Sequence, residues 1–325
     1  MTKSRSAQIF STLSVLVLSV EAGAQAFPNR PLRIINPFPP GGGVDITNRI
    51  VASKLTDVLG QQVVVENRPG AAGNVGAAIA AKATPDGYTI FACGVASHGV
   101  SPAIYKKLPF DPEKDLIPIS MIGSTPNVLV VNPAVPAKTM AEYVAWAKAG
   151  AGKLNYASPG VGTSPHMTME LFKTATGINM IHVAYKGGAP ALQDVMGGHV
   201  PSMFGNLGEQ LGAIKAGKTR ALAVTSLKRH FAVPDVPTVD ESGIKGFQVT
   251  AWYASCVPAG VPSQILNALN AAVVKTVNLP DVRDRLLQNA VEPAPSTREE
   301  LAAFIKVEIA KWRKVAQSAG ISVEY

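Results

Sequence analysis

The sequence predicts an α/β protein of two lobes, each a mostly parallel sheet flanked by helices. Short apolar runs typical of strands alternate along the chain with longer helical patterns, an order that favours parallel strands joined by helical crossovers. Hydrophobic residues make up 47% of the 325 positions and charged residues only 16%, which excludes a disordered chain or a coiled coil. Two extended runs without central turn residues, Thr125–Pro133 and Phe247–Gly260, divide the chain. We interpret them as crossover strands that form a hinge between the lobes.

The first 26 residues have the order of a secretory signal peptide. Lys3 and Arg5 precede the apolar run Ile9–Val20, and small residues then lead to Ala24-Gln25-Ala26. The run is too short to span a membrane, and the A-x-A ending predicts cleavage before Phe27 and export to the periplasm. The alternative interpretation is a buried N-terminal helix.

The mature chain is expected to form two domains from three segments. Residues 27–127 and 251–325 form domain 1, and residues 128–250 form domain 2. Strands are predicted at the runs RIIN, VVVEN, TIFAC, NVLVVN, LNYAS, MIHVAY, SMFGN and ALAVTS. Helices are predicted at Asp45–Leu59, Asn74–Ala83, Met140–Ala149, Pro165–Thr176, Ala189–Met196, Ser263–Val277 and Arg298–Ala319.

One structural unit occurs twice: a strand, a glycine-rich loop, a helix, a closing glycine and a second strand. The first copy contains the loop Pro37–Asp45 and closes at Gly60. The second contains the loop Pro159–His166 and closes at Gly177. The repetition indicates that the same part is used in both lobes.

Both loops have the composition of an anion site. Glycines allow a ligand to approach backbone N–H groups, and the N-terminus of the following helix offers unpaired donors and a positive partial charge. Ser158, Thr163 and Ser164 add hydroxyl donors, Asp45 can cap its helix or orient water, and His166 is either a ligand donor or a core residue. Two such loops facing one cleft would hold both ends of a small dianion. The alternative is that glycine-rich turns commonly join strands to helices.

Other motifs carry less weight. The segment Gly212–Thr219 matches G-x-x-x-x-G-K-[ST], but a helix over Gln210–Ala216 and a strand after it give the reverse of the P-loop order. The five histidines lack metal-ligand spacing, and no metal or cofactor is expected. A catalytic triad that uses Ser97, His98 or Ser164 stays open.

The net charge of +8 does not indicate a nucleic-acid partner. The densest basic group is Lys228-Arg229-His230, which is too small for an electrostatic binding surface. Cys93 and Cys256 either form one disulfide in an oxidising compartment or remain free in apolar strands, and neither lies where a lipid anchor would be attached.

Nine ordered motifs resemble the tripartite tricarboxylate transporter substrate-binding proteins, also called the Bordetella uptake gene (Bug) family. The likeness runs from Phe27 to Tyr325. Its motifs are RPLRIINPFPPGGGVDITNRI, VVVENRPGAAGNVGA, PDGYTI, LPFDPEKDL, NVLVVNP, GKLNYASPGVGTSPHM, HVAYKGGAPALQDVMGGHV, IKAGKTRALAVTS and VPDVPTVDESG.

The resemblance implies a monomeric periplasmic solute-binding protein, and not an enzyme. Its two α/β lobes would close on a small carboxylate and deliver it to a membrane transporter with one large and one small integral subunit. By resemblance the ligand would be held, partly through water, by three loops. Their residues are Phe38, Pro39, Gly41, Gly42 and Asp45; Ser158, Gly160, Gly162, Thr163, Ser164 and His166; and Ser97 and His98.

The strand-end pair Gly205-Asn206 also matches the family site, with one departure. Many relatives have an acidic residue where this chain has Gly205. We expect its loss to widen the pocket and favour a ligand without an amine, namely a di- or tricarboxylate or an aromatic dicarboxylate such as a phthalate isomer. The alternatives are a periplasmic sensor that presents its closed form to a signalling receptor, and a secreted hydrolase of carboxylate esters.

Overall fold

The computed structural model describes residues 27–324 as an α/β structure, and the predicted signal peptide lies outside this part. No helix in residues 27–324 is long and apolar enough to cross a membrane. Strands of this part form one sheet in the order β2-β1-β3-β9-β4-β7-β5-β6, and β8 and β10 both pair with β4. The strands are β1 (Leu32–Asn36), β2 (Val63–Asn67), β3 (Thr89–Gly94), β4 (Leu116–Val131), β5 (Asn155–Ser158), β6 (Ile181–Ala184), β7 (Ser202–Asn206), β8 (Arg220–Val224), β9 (Thr250–Pro258) and β10 (Glu292–Pro293).

Helices cover the sheet. They are α1 (Gly43–Leu59), α2 (Asn74–Ala81), α3 (Ser101–Ile104), α4 (Met140–Ala149), α5 (Ser164–Thr176), α6 (Gly188–Met196), α7 (Leu207–Lys215), α8 (Ser263–Val277), α9 (Pro280–Gln288) and α10 (Arg298–Ala319). Capping boxes start two of them, because Thr139 and Thr297 each accept from the N–H of a glutamate three residues later. The predicted closing glycines, Gly60 and Gly177, both have left-handed backbones that end α1 and α5.

Parallel pairing holds at both sides of the sheet and gives way to antiparallel pairing in the centre. β1 runs parallel to β2 and β3, and β5 runs parallel to β6 and β7. The long strands β4 and β9 run antiparallel to their neighbours. The carboxyl ends of β1 and β5, where the two glycine-rich loops begin, are therefore each set in a parallel region.

Both faces of β1 are buried, as its apolar run predicts. Ile34 packs with Ile50 of α1 and Leu269 of α8, whereas Ile35 belongs to the cluster that contains Phe91 and Trp312. Successive side chains of a strand point to opposite faces, so a strand between two helical layers needs apolar residues at consecutive positions. This packing fixes the position of the loop that follows β1.

β4 is the structural counterpart of the first predicted crossover. Its residues 116–126 pair with β9, and its residues 127–131 pair with β7 and β8. The second crossover lies next to it, because the Val249 N–H donates to the Thr225 carbonyl (3.0 Å) and the Thr225 hydroxyl donates to the Val249 carbonyl (2.6 Å). The Asn127 N–H donates to the same hydroxyl (2.9 Å), so Thr225 joins both crossovers. The division into domains at these points stays a prediction.

The Walker-like segment lies where the sequence predicted it. It runs from the end of α7 through Gly217, whose φ of 67° closes the helix, into β8. A P-loop needs the opposite order, strand before helix. The segment is a helix-to-strand turn.

Candidate functional site

The first glycine-rich loop joins β1 to α1 and is fixed by the buried carboxylate of Asp45. One oxygen of this carboxylate accepts from the Gly41 N–H (3.0 Å) and from the Arg49 guanidinium (2.9 Å). The other accepts from the amides of Asn67 (2.8 Å) and Asn36 (3.3 Å). Burial alone would raise the pKa of Asp45, but these charged and polar donors hold it below its usual value. Asp45 therefore orients the loop as a buried anion.

The second loop joins β5 to α5 and is fixed by neutral groups. The Thr163 hydroxyl donates to the Gly160 carbonyl (2.7 Å), and the Gly162 N–H donates to Nδ1 of His166 (3.3 Å). Gly160 and Gly162 have φ values of 140° and 81°, which side chains strongly disfavour. The glycines predicted to shape this loop are thus required by its backbone.

Two histidine side chains contact the second loop and each other. The rings of His166 and His182 stack with centroids 4.2 Å apart, and Nε2 of His182 lies 2.6 Å from the Ser158 hydroxyl. Burial, together with His182, lowers the pKa of His166 to about 3, and burial lowers the pKa of His182 to about 4. Both rings are therefore neutral at pH 7.

The N-terminus of α5 keeps donors available for a ligand. No side chain caps this helix, and its first turn contains no acidic residue. The Ser164 hydroxyl accepts from the Asn127 amide (2.8 Å), and no acceptor for its own proton is found in the described part of the chain. By contrast, the Thr163 hydroxyl proton is already used within the loop. Ser164 is thus the hydroxyl donor that this terminus can offer to an anion.

A third glycine-rich turn, absent from our predictions, joins β6 to α6. Gly187 precedes the helix with a φ of 122°, and Gly188 is its first residue. The order strand, two glycines, helix is the same signal that identified the other two loops, so the sequence did contain the information. Three helix N-termini therefore come from glycine-rich turns.

These turns line one cavity of about 120 Å³. The lining also includes Ala251, Trp252 and Tyr253 of β9 and part of the helical turn that contains Val95 and Ala96. Among the described lining residues, Lys186 is the only cationic side chain and Glu209 the only anionic one. The predicted site residues that line the cavity are Phe38, Pro39, Gly42, Ser97, Thr163, Ser164 and Asn206.

The other predicted site residues lie outside the lining of this cavity. Some of them, such as Asp45 and Ser158, hold the loops in place by hydrogen bonds. Gly160 lines a neighbouring cavity of about 600 Å³, which shares Phe38, Pro39 and Lys186 with the first. The residues outside the first lining are Gly41, Asp45, His98, Ser158, Gly160, Gly162, His166 and Gly205.

His98 differs most from its predicted role. The segment Val95–Val100 is a π-helix instead of a cleft loop, and it buries the His98 ring completely. Nδ1 of His98 lies 3.0 Å from the Ser97 hydroxyl, and Nε2 faces the Cys256 sulfur at 3.7 Å. Burial lowers the pKa of His98 to about 3. A base needs a pKa near the working pH and an orienting partner, so this pair does not support the hydrolase interpretation.

Cys93 and Cys256 form a disulfide between β3 and β9, which resolves the alternatives left open by the sequence. With His98 they are the one group of potential metal ligands found in residues 27–324. Metal binding by cysteine requires the thiolate, and both sulfurs are bonded to each other. The group therefore does not fit a metal site.

Gly205 does not widen the cavity, which corrects our expectation. A Cβ at this position would overlap the amide of Gln210, so the space is already filled. A carboxylate is nevertheless present nearby, because Glu209 extends into the cavity from the first turn of α7. Burial raises the pKa of Glu209, although Gly43 and Asn206 donate hydrogen bonds to it. Periodicity within α7 could not identify this residue, because its partner lies 166 positions away.

Family comparison agrees with the geometry. Residues 47–321 match the family described as the tripartite tricarboxylate transporter family receptor. The chain belongs to this receptor family. Its members are binding proteins and not enzymes, and they are the substrate-binding components of tripartite transporters.

Solved structures of similar proteins share the fold of this receptor. R. palustris Rpa4515 with adipate superposes with a TM-score of 0.88 at 32% identity, covering 92% of this chain and 100% of that one. The periplasmic binding protein BugD gives a TM-score of 0.87 at 32% identity, with coverages of 92% and 100%. MatC from Rhodopseudomonas palustris with bound malate gives 0.84 at 32% identity, with coverages of 89% and 99%. The resemblance inferred from the nine motifs is confirmed.

Proposed function

We propose that this receptor captures a small dicarboxylate in the periplasm and delivers it to a membrane transporter with one large and one small integral subunit. The observation that supports this most directly is the convergence of three glycine-rich helix N-termini on one cavity. Such termini favour anions. Two similar proteins have structures with adipate and with malate, which are both dicarboxylates.

The cavity favours a ligand with an apolar centre and charged ends. Its walls between the turns are largely apolar and include Phe38, Pro39, Pro159 and Pro190. Ser164 and the uncapped α5 terminus offer donors to one carboxylate, and Lys186 adds a positive charge, whereas the Gly43 N–H already donates to Glu209. Adipate has this distribution of charge, and an aromatic dicarboxylate such as a phthalate isomer has it in a wider form. We therefore retain both as candidate ligands.

Capture is proposed to occur by hinge closure. The hinge would lie where residues 126–127 of β4 and residues 249–250 pass between domain 1 (27–127 and 251–325) and domain 2 (128–250). Thr225 supports this position, because its hydroxyl and carbonyl hydrogen-bond to both segments. Removal of residues 1–26 would release a monomer, whose closed form the transporter would recognise.

A ligand screen tests the proposal. Residues 27–325 are mixed with adipate, malate, phthalate isomers and tricarboxylates, with aspartate, glutamate and a nucleotide as controls, and the melting temperature is recorded. At a ligand concentration of about 100 times Kd, binding stabilises the native state by about 2.7 kcal/mol, which shifts the melting temperature measurably. A shift with dicarboxylates supports the proposal. No shift with any carboxylate, or a shift with the nucleotide alone, contradicts it.

A further inference from the structure

A carboxylate of the protein itself lines the cavity beside the first residues of α1 and α6. Oε1 of Glu209 accepts from the backbone N–H of Gly43 at 2.7 Å and from the Asn206 amide at 3.1 Å. Gly43 is the first residue of α1, and Glu209 belongs to the first turn of α7. The contact thus joins the start of α1, next to the first glycine-rich loop, to α7, which lies 166 positions further along the chain.

The start of α6 borders the same carboxylate. A Cβ placed on Gly188 would overlap the Glu209 carboxyl group, and a Cβ placed on Gly43 would lie 3.0 Å from its Oε1. A side chain at Gly188 would therefore require the Glu209 carboxyl group to move, and one at Gly43 would crowd both Glu209 and the Tyr253 hydroxyl. Two helix N-termini therefore converge on one carboxylate, which is the arrangement that a helix terminus offers to an anionic ligand.

We propose that Glu209 is a specificity-determining residue that occupies the place of one carboxylate of the ligand. This inference rests on the proposed function and deepens it. The first ligand carboxylate binds at the free α5 terminus beside Ser164, and the second displaces Glu209 from the Gly43 N–H. Glu209 thereby competes with dicarboxylates and lowers their affinity, whereas a monocarboxylate that binds only at α5 is unaffected.

The competing explanation is that Glu209 pairs with an ammonium group of the ligand. The observed hydrogen bonds argue against it, because Oε1 is already engaged by two donors at the place where an anion is favoured. The two explanations predict opposite effects of the same substitutions.

Titration calorimetry on Glu209→Gln and Glu209→Ala distinguishes them. The probes are adipate, malate, hexanoate and aspartate at one fixed pH. We expect adipate and malate to bind at least tenfold more tightly to Glu209→Ala than to the wild type. Glu209→Gln keeps the acceptor but loses the charge, so its affinity should lie between the two, and hexanoate should bind equally to all three proteins. Glu299→Gln, which removes an exposed carboxylate from α10, is the charge-matched control and should not change any affinity.

Unchanged or weaker binding of adipate by both variants would overturn the inference, as would aspartate binding that is lost in Glu209→Gln. A separate measurement needs no ligand: amide hydrogen exchange at Gly43 should accelerate in Glu209→Ala, because the N–H loses its acceptor. Faster exchange without binding of any carboxylate would contradict the proposed function itself while confirming the contact.

Discussion

The two glycine-rich loops come from matched sequence units but are stabilised in different ways. The first is fixed by an ionised carboxylate, Asp45, and the helix terminus that follows it already holds the Glu209 carboxylate. The second is fixed by hydroxyls and neutral imidazoles, and its helix terminus is uncapped. Similar loop sequences therefore do not make equivalent anion sites. The difference depends on which distant side chains reach each loop, and it predicts separate responses to acid and to substitution.

Acid should weaken the second loop before the first, and this is the largest effect expected. The unfolded chain protonates its histidines below about pH 6.5, whereas folded His166 stays neutral until its pKa near 3. The unfolded state therefore binds more protons between these values, and stability falls as the pH decreases. For His166 the loss at pH 4 is about 3 kcal/mol, because each pKa unit corresponds to about 1.36 kcal/mol.

Urea unfolding of the wild type and His166→Asn between pH 4 and 7 measures this loss. Asparagine keeps an acceptor for the Gly162 N–H but does not titrate, so the variant should lose less stability on acidification. The exposed His199→Asn variant serves as the control and should follow the wild type. Parallel curves for wild type and His166→Asn would show that the second loop does not determine the acid response.

Neutralising Asp45, which fixes the first loop, should lower the free energy of unfolding by about 2 kcal/mol at pH 7. Asp45→Asn keeps the shape of the side chain but removes the charge that binds Arg49. It also replaces one acceptor oxygen by an NH2 donor, which would face either the Gly41 N–H or the amides of Asn36 and Asn67. The matched change in the second loop, Ser158→Ala, removes only neutral hydrogen bonds, to His182 and to the Gly160 backbone, and should cost about 1 kcal/mol. Equal losses of unfolding free energy in both variants would show that the charged and the neutral hydrogen bonds stabilise their loops to the same extent.

Removing the free hydroxyl of the second loop should have a smaller effect than neutralising Asp45, about a tenfold loss of dicarboxylate affinity, or about 1.4 kcal/mol. Ser164→Ala deletes the donor that the structure leaves available, and one hydrogen bond to a charged group is worth about 1.5–3 kcal/mol. Asn127 keeps Thr168 as a partner, so the fold should tolerate the change. Calorimetry with adipate provides the measurement. Thr163→Ser, which preserves the hydroxyl, is the companion variant, and an equal loss in both would assign the effect to the loop backbone.

Local signals allowed much of the fold to be predicted. The bounds of α4, α8 and α10 match the predicted ranges, because apolar periodicity acts within a few positions. Capping boxes also fix the starts of α4 and α10. The π-helix Val95–Val100 and the helix α9 (Pro280–Gln288) were missed. A π-helix has no periodic apolar pattern that distinguishes it from a loop.

The candidate site was predictable where the backbone determines it and unpredictable where distant side chains do. Gly160 and Gly162 adopt the positive φ values that their loop requires, as glycine-rich turns suggest. Whether a predicted residue lines the cavity depends on tertiary packing. The structure therefore places His98 and Gly205 outside the cavity lining, whereas Glu209, which the sequence analysis missed, belongs to it. Contacts between residues that are far apart in the sequence cannot be recognised before the fold is known.

The position of β9 in the sheet has a consequence for how the chain acquires its structure. β9 lies between β3 and β4, although about 120 residues separate it from β4 along the chain. A growing polypeptide therefore exposes the edges of both strands until Pro258 has been synthesised, and closing such long loops slows folding. The sheet can be completed only after β9 has been synthesised, so we expect the chain to reach its native fold late in its own synthesis.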